Sequence, residues 1–295
     1  MPSLIDIRRR IRSVKNTQQI TKAMKMVSAA KLRRAQDRVI AARPYAALLR
    51  QMLTDVAAAA TAEAEDAAVE NPLLAERAEK RILLVLITGD KGLAGAFNTN
   101  LIKGALGFPA EHGGAAVTLE LIGRKGRDFF RKRGAVIAGQ YIGLAAKVVY
   151  SETAAIARKA IEMFRNGETD AVYLLYNEFK SMVSQKLTLT RVLPLGMPEH
   201  PDPVDFILEQ PAAEILNELL PKCVEMEFYR ALLESAAAEH AARMAAMEAA
   251  TSNAADMIDR LTLYMNRVRQ ASITKEIIEV VSGAAAAEYG YYGND

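Results

Sequence analysis

The 295-residue chain has a single cysteine, Cys223, only three histidines, His112, His200 and His240, and no tryptophan. One thiol excludes an internal disulfide and points to a reducing compartment. The histidines are scattered and lack metal-ligand spacing, so no metal is expected. The longest aliphatic run, Ile82 to Ile87, falls far short of the roughly 20 residues that span a bilayer. Met1-Pro2-Ser3-Leu4 lacks the apolar core of a signal peptide, and the expectation is a chain that is mature from its first residue. Absent as well are Gly-x-Gly-x-x-Gly, a Gly-Lys-Ser/Thr phosphate loop and a Gly-x-Ser-x-Gly elbow. Enzyme activity has no positive support, and neither a catalytic residue nor a cofactor is expected.

What the chain does have is heptads. From Glu209 to Glu288 one set of positions reads Leu216, Cys223, Arg230, Ala237, Met244, Thr251, Ile258 and Met265. The companion set reads Leu219, Met226, Leu233, His240, Met247, Ala254, Leu261 and Val268. Most are apolar over many turns, which predicts a helix about 110 Å long that needs a partner helix.

The N-terminus supplies that partner. Ser3 and Asp6 suit a capping box, and the heptad positions Leu4, Ile7, Ile11 and Val14 resume at Leu32, Ala35, Val39, Ala42, Ala46, Leu49, Leu53 and Val56. Between them the same register reads Gln18, Thr21, Lys25 and Ser28, while the apolar residues are Ile20, Met24 and Val27. Two readings are open. The seam migrates here, as a straight helix drifts against a 3.5-residue repeat, or Met24 and its basic neighbours face a second partner. Pro44 predicts a slight bend, and Pro221 a kink or break in the second helix.

The formal net charge of +3 conceals an asymmetry. Residues 1–60 carry thirteen Lys and Arg against three Asp, a surplus of ten positive charges; residues 209–288 carry thirteen acids against seven bases, six negative in balance. Opposite signs favour pairing of the two helices, though exposed charges contribute little each. The positive surplus suggests an acidic partner.

The middle of the chain alternates strand and helix patterns. Strands are predicted at 82–88, 117–122, 136–142, 170–179 and 185–193, with helices at 123–133 and 152–165. The resulting organisation is an N-terminal helix over 1–60, a linker over 61–80, a Rossmann-like α/β domain over 81–203, a C-terminal helix with a projecting tip over 204–288, and a tail over 289–295. The four prolines from Pro194 to Pro203 end the α/β domain, and Pro211 and Glu214 suit the first turn of the last helix. The fold class is thus mixed α+β and α/β, a long antiparallel two-helix coiled coil beside a largely parallel sheet. The turn Gly89 to Asn98 has two readings, a nucleotide site or tight strand–helix packing; its glycines fit neither common phosphate fingerprint. His240 and Arg230 lie on the helical seam, where an interior histidine and an arginine that snorkels or pairs with an acid are expected.

If both long helices meet the α/β domain near residues 57 and 209, Leu4 stands opposite Thr262. The stretch from Leu263 to Ala287 then has no partner, yet it carries Ile273, Ile277, Ile278, Val280 and Val281. Such a tip reads as a plug or axle for another protein, or else as an end that folds back or frays, and spacing alone does not separate the two. Two rivals remain: a nucleic-acid-binding arm, opposed by the acidic second helix and the scarcity of aromatics on the rod, and a nucleotide-dependent enzyme, which needs ligand binding at Gly89 to Gly95.

Two segments are specific enough to name a family. Ile7-Arg8-Arg9-Arg10-Ile11 with Asn16 to Val27, and Arg269-Gln270-Ala271-Ser272-Ile273-Thr274-Lys275-Glu276-Ile277 with Val281 to Ala284, resemble the terminal signatures of the gamma subunit of bacterial F-type ATP synthase. Ala42 to Tyr45, Thr88 to Asn98, Tyr176 to Phe179 and Glu239 to Met244 match too, so the likeness spans the chain. Ala94 stands where many members carry cysteine, and the cysteine-bearing insertion of chloroplast members is absent.

The resemblance implies a non-catalytic rotary shaft. Its coiled coil sits in a ring of alpha and beta subunits, and its α/β domain bears on the epsilon subunit and the membrane ring of c subunits. The complex is expected at the cytoplasmic face of the inner membrane, with no nucleic-acid partner. Arg269 and Gln270 match the pair engaging a beta-subunit loop, with Thr274 and Glu276 beside it. Met24 and Lys25 match the collar near an acidic lever of the beta subunit. Ile273, Ile277 and Val281 belong to a tip turning in an apolar bearing.

Overall fold

The structure is a computed structural model that describes residues 3–63, 71–182, 184–196 and 209–291. Expectations about residues 64–70 of the linker, about Pro198, Pro201 and Pro203, and about the last four residues lie outside these. The chain forms two compact units, residues 27–246 and residues 1–26 with 247–295. The boundary falls within both long helices.

In the larger unit a five-stranded sheet has the order β3-β2-β1-β4-β5. β1 (Arg81–Ile87) lies parallel to β2 (Ala116–Ile122) and to β4 (Ala171–Phe179). β3 (Ile137–Tyr141) runs parallel to β2, and only β5 (Gln185–Leu193) is antiparallel, beside β4. All seven strand positions of β1 except Arg81 are buried, the pattern of a strand covered on both faces. Ile82, Leu84 and Leu86 face the cluster containing Leu101 of α2 (Phe97–Glu111) and Phe130 of α3 (Arg124–Arg131). Leu83, Val85 and Ile87 face the other way. There they join Ile156 and Phe164 of α4 (Tyr150–Arg165), Leu32 to Ala60 of the first long helix, and Leu216 to Ala241 of the last.

The first helix, α1, runs Leu4–Glu63 through Pro44. Its cap is a reciprocal box: Ser3 Oγ donates to Asp6 Oδ2 at 2.7 Å and accepts from the Asp6 N–H at 3.2 Å. Every residue of the 3–4 spacing from Ile7 to Val56 is buried or half-buried, including Gln18, Thr21, Lys25 and Ser28. Ile20 and Val27 are exposed. The seam therefore does not migrate; polar residues hold it across this stretch.

The last helix, α5, runs Ala212–Tyr291 without interruption. Of the two expectations for Pro221, a kink or a break, the unbroken helix excludes the break. A helix-interior proline costs about 3 kcal/mol, but Leu216, Leu220 and Val224 around it are each fully buried, and their burial outweighs that cost. Residues 231–239 are buried on all sides, because α5 lies along the sheet layer as well as along α1. The α/β domain thus packs beside the helix rather than meeting it end-on near residue 209.

In the smaller unit the two helix ends run antiparallel. Thr21 and Thr251 hydroxyls share a 2.8 Å hydrogen bond, and Lys25 pairs with Glu248. Carried along both helices, this register sets Leu4 level with Val268 rather than Thr262. The difference arises because α1 continues to Glu63, six residues past the assumed meeting point.

On the seam, Arg230 donates twice to Glu227, at 2.7 and 3.0 Å, and lies 3.5 Å from Glu234. His240 is half-buried; burial first, then the Arg243 charge, pushes its imidazole down to about 4.

Phe228, fully buried in the larger core, is expected on replacement by alanine to lose about 3–5 kcal/mol of stability, measured as a fall in the urea midpoint of the full chain. Between about pH 6.5, where a free imidazole titrates, and about pH 4, the unfolded chain binds a proton at His240 that the folded chain does not. Stability present above this window is therefore lost as pH falls through it. His240→Gln flattens that loss, read by comparing urea midpoints at pH 7.5 and 5.0.

Candidate functional site

The glycine turn lies at the carboxyl end of β1, where the sheet order passes from β2 to β4, the usual ligand crevice of such sheets. Here several of the chain's own side chains bond to its backbone, beside a cavity of about 590 Å³ lined by Gly92, Gly95 and Lys125 among others. Thr88 Oγ1 donates to Ile122 O at 3.0 Å and accepts from the Gly126 N–H at 2.9 Å. The Asp90 carboxylate accepts from the backbone N–H of Arg124 and of Gly143, each at 3.0 Å, so an internal anion already caps α3. Asn98 Oδ1 accepts from the Gly89 N–H at 2.8 Å.

From α5, Arg243 pairs with Glu239 and donates to Gly92 O at 3.4 Å. A Cβ on Gly89 would stand 2.8 Å from the Glu239 carboxylate, and one on Gly123, at φ +97°, only 2.0 Å from Thr88 O. Close packing, the second of the two readings, thus accounts for Gly89 in the turn and for Gly123 beside it, while Gly95, at φ +56°, has open space around it. The buried Glu239–Arg243 pair was not singled out from the sequence as the contact holding this turn. Its i, i+4 spacing was visible, but nothing in the spacing tells which loop it meets. Cys223 is buried, and burial pushes its thiol up to about 11, which makes it a poor nucleophile.

The sequence-derived contact residues all lie in the smaller unit, at two levels. Met24 and Lys25 are half-buried on α1, and Lys25 is held by Glu248. Arg269, Gln270, Ile273, Thr274, Glu276, Ile277 and Val281 are exposed on α5. The 21 residues from Glu248 to Arg269 put about 30 Å of helix between the levels, so the structure does not bring the two groups together. From Arg269 to Ala284 only Ser272 is half-buried and every other residue is exposed, as the register with Leu4 requires.

At 100° per residue, Ile273, Ile277, Val280 and Val281 fall within an arc of about 100°. Their exposures are 49%, 57%, 71% and 62%. Thr274 Oγ1 donates back to Gln270 O at 3.0 Å, and Lys275 meets Glu279 at 3.4 Å. Arg269 has no ion pair among the described residues. The arrangement offers an apolar stripe with a free guanidinium at its base, suited to a carboxylate on another surface.

A family profile described as ATP synthase matches residues 3–287. The ATP synthase gamma chain of Solibacter usitatus (strain Ellin6076) is 76% identical over 288 residues, covering 98% of this chain and 100% of that one. The gamma chain of Pelotomaculum thermopropionicum is 51% identical over 291 residues, covering 98% and 100%. Among solved structures, a chain of the Tetrahymena thermophila mitochondrial ATP synthase central stalk and c-ring aligns with a TM-score of 0.59 and 27% identity, over 78% of this chain and 99% of that one. A chain of the Euglena gracilis mitochondrial ATP synthase aligns over 99% and 97% with a TM-score of 0.69; its 18% identity bears on the fold alone. With identity of this order along the full length, and both terminal signatures on one antiparallel helix pair, the chain belongs to the gamma-chain family of ATP synthase.

Proposed function

We propose that the chain is the central rotary shaft of a bacterial F-type ATP synthase, a non-catalytic stalk subunit that couples ion flow to nucleotide turnover elsewhere in the complex. The observation that carries this reading is the exposed stripe Ile273, Ile277, Val280 and Val281 on an unbroken helix. A single helix with that much apolar surface in water needs a socket. A ring of alpha and beta subunits supplies one, and the stripe turns within it as in a greased bearing. Arg269 and Gln270, at the base of the stripe, engage a beta-subunit loop, with Thr274 and Glu276 beside them.

At the lower level Met24 and Lys25 form the collar that meets an acidic lever of the beta subunit. Lys25 already has Glu248, so it reaches the lever only by exchanging or sharing that partner. Exposed ion pairs contribute little, so the exchange is cheap. The larger unit bears on the epsilon subunit and on the ring of c subunits, and through them the chain stays peripheral to the cytoplasmic face of the inner membrane. No helix among the described residues is long and apolar enough to cross a bilayer.

Mechanistically the shaft acts as a ligand whose face changes with angle. It biases each beta subunit by differential contact, and a conformational equilibrium shifts only by as much as those contacts differ. The double variant Arg269→Ala, Gln270→Ala is expected to lower ATP turnover of the assembled complex by about tenfold, equivalent to about 1.4 kcal/mol, with the circular dichroism of the isolated chain unchanged. Wild-type coupled synthesis by that variant overturns the assignment. Deletion of residues 282–295 is expected to cost less turnover, since Ile273 to Val281 remain.

A further inference from the structure

Within the larger unit, a cavity of about 360 Å³ opens between α1, β4 and α5, lined among others by Arg43, Arg50, Glu178, Arg230 and Glu234. Glu234 is 4% exposed. Its Oε1 lies 3.5 Å from Arg230, but its Oε2 is inaccessible and has no hydrogen-bond partner. A buried carboxylate oxygen without a donor is costly once the group is ionised.

The titratable and charged groups around it are accounted for one by one, beginning with the buried Tyr176 of β4, whose phenol burial pushes up and keeps neutral. On α5, Arg230 is committed to Glu227 by two bonds of 2.7 and 3.0 Å. On α1, Arg50 is committed to the same Glu227 at 2.6 Å. On β4, Glu178 accepts from Lys180 at 2.6 Å and from Thr188 at 3.4 Å. That leaves Arg43 of α1, which is exposed and has no ion pair among the described residues. Arg43 and Glu178 also belong to two of the motifs that carry the family resemblance, neither of which the bearing or the collar uses.

We propose that Glu234 and Arg43 form a proton-operated latch between α5 and α1. In this latch the open cavity belongs to protonated Glu234; with Glu234 ionised, the Arg43 guanidinium swings across the cavity and donates to Oε2. Water cannot substitute without a rearrangement, because Oε2 is closed to it in the open form. Burial, reinforced by the charge of Glu178, holds the Glu234 carboxyl above the usual range, while Arg230, Arg43 and Lys180 pull the other way. The latch is independent of the rotary reading, since it lies wholly within residues 27–246.

The chain's lack of tryptophan supplies a clean reporter. Ala47 is exposed and lines the same cavity, so Ala47→Trp in the full chain places one fluorophore at the closing gap. The expected result is a single sigmoidal change in its emission, with a midpoint above the ordinary glutamate value of about 4.3. Glu234→Gln and Arg43→Gln, each in that background, are both expected to abolish it with far-ultraviolet circular dichroism unchanged. A flat titration in the reporter chain, or one that survives either glutamine variant, overturns the latch. If Glu234→Gln does not fold, Arg43→Gln carries the test alone, because Arg43 is exposed.

Discussion

The structure depends on what surrounds α5 at each point along its length. From residue 231 to 239 every side chain is buried, because sheet and helix both cover it. From Met247 to Val268 burial recurs only at the seam positions, as a single antiparallel helix allows. Beyond Arg269 nothing among the described residues covers it. A helix is stabilised mostly by packing of its apolar face, so this gradient is also a gradient of local stability. The end with the largest exposed aliphatic residues has the least internal support, and it remains apolar. That combination makes sense only if another surface completes it.

The seam itself is not uniformly apolar. Gln18, Thr21, Lys25 and Ser28 occupy it between apolar stretches on either side, and Thr21 meets Thr251 through a hydroxyl–hydroxyl bond. Polar seam residues lower coiled-coil stability but fix register, since a slip strands each hydroxyl against an apolar neighbour. Register matters for a member of this family, because the angular position of one helix end must follow the other.

Much of this was legible in the sequence. The termini of β4 and β5 were readable to within a residue, since both strands are bounded by abrupt changes of polarity and β4 is an almost unbroken apolar run. The heptads gave the helix pair, and the α/β domain between its two members made the antiparallel direction the natural supposition. Three things were not legible. Ile20 and Val27 looked like a migrating seam because apolar character is a weak guide where the seam is polar. The level of Leu4 was misplaced because composition does not show that α1 persists to Glu63 through an alanine-rich stretch. A break at Pro221 stayed open beside a kink because its local cost is visible in sequence, whereas the burial of Leu216, Leu220 and Val224 is not. The proposed contact residues came from two signals: Ile273, Ile277 and Val281 from an apolar tip without a partner, and Arg269 and Gln270 from the family likeness, since exposed polar side chains leave no periodic signal.

The charge asymmetry of the two helices looked at first like the reason for their pairing. The structure leaves it a small part in that pairing. Of the thirteen Lys and Arg in residues 1–60, only Lys25 and Arg50 pair with acids of α5 among the described residues. Arg8, Arg9, Arg10, Arg12, Lys15 and Lys22 are all exposed. Burial along the seam holds the helices together without them, and scattered surface pairs add little. The remaining basic surface is therefore free to act outward. Six exposed cations within the first 22 residues attract acidic surface over about a Debye length, roughly 8 Å at physiological ionic strength. Attraction of that range draws an acidic partner towards any face of the helix without locking onto one, and such non-specific adhesion suits a surface that must turn against its neighbours.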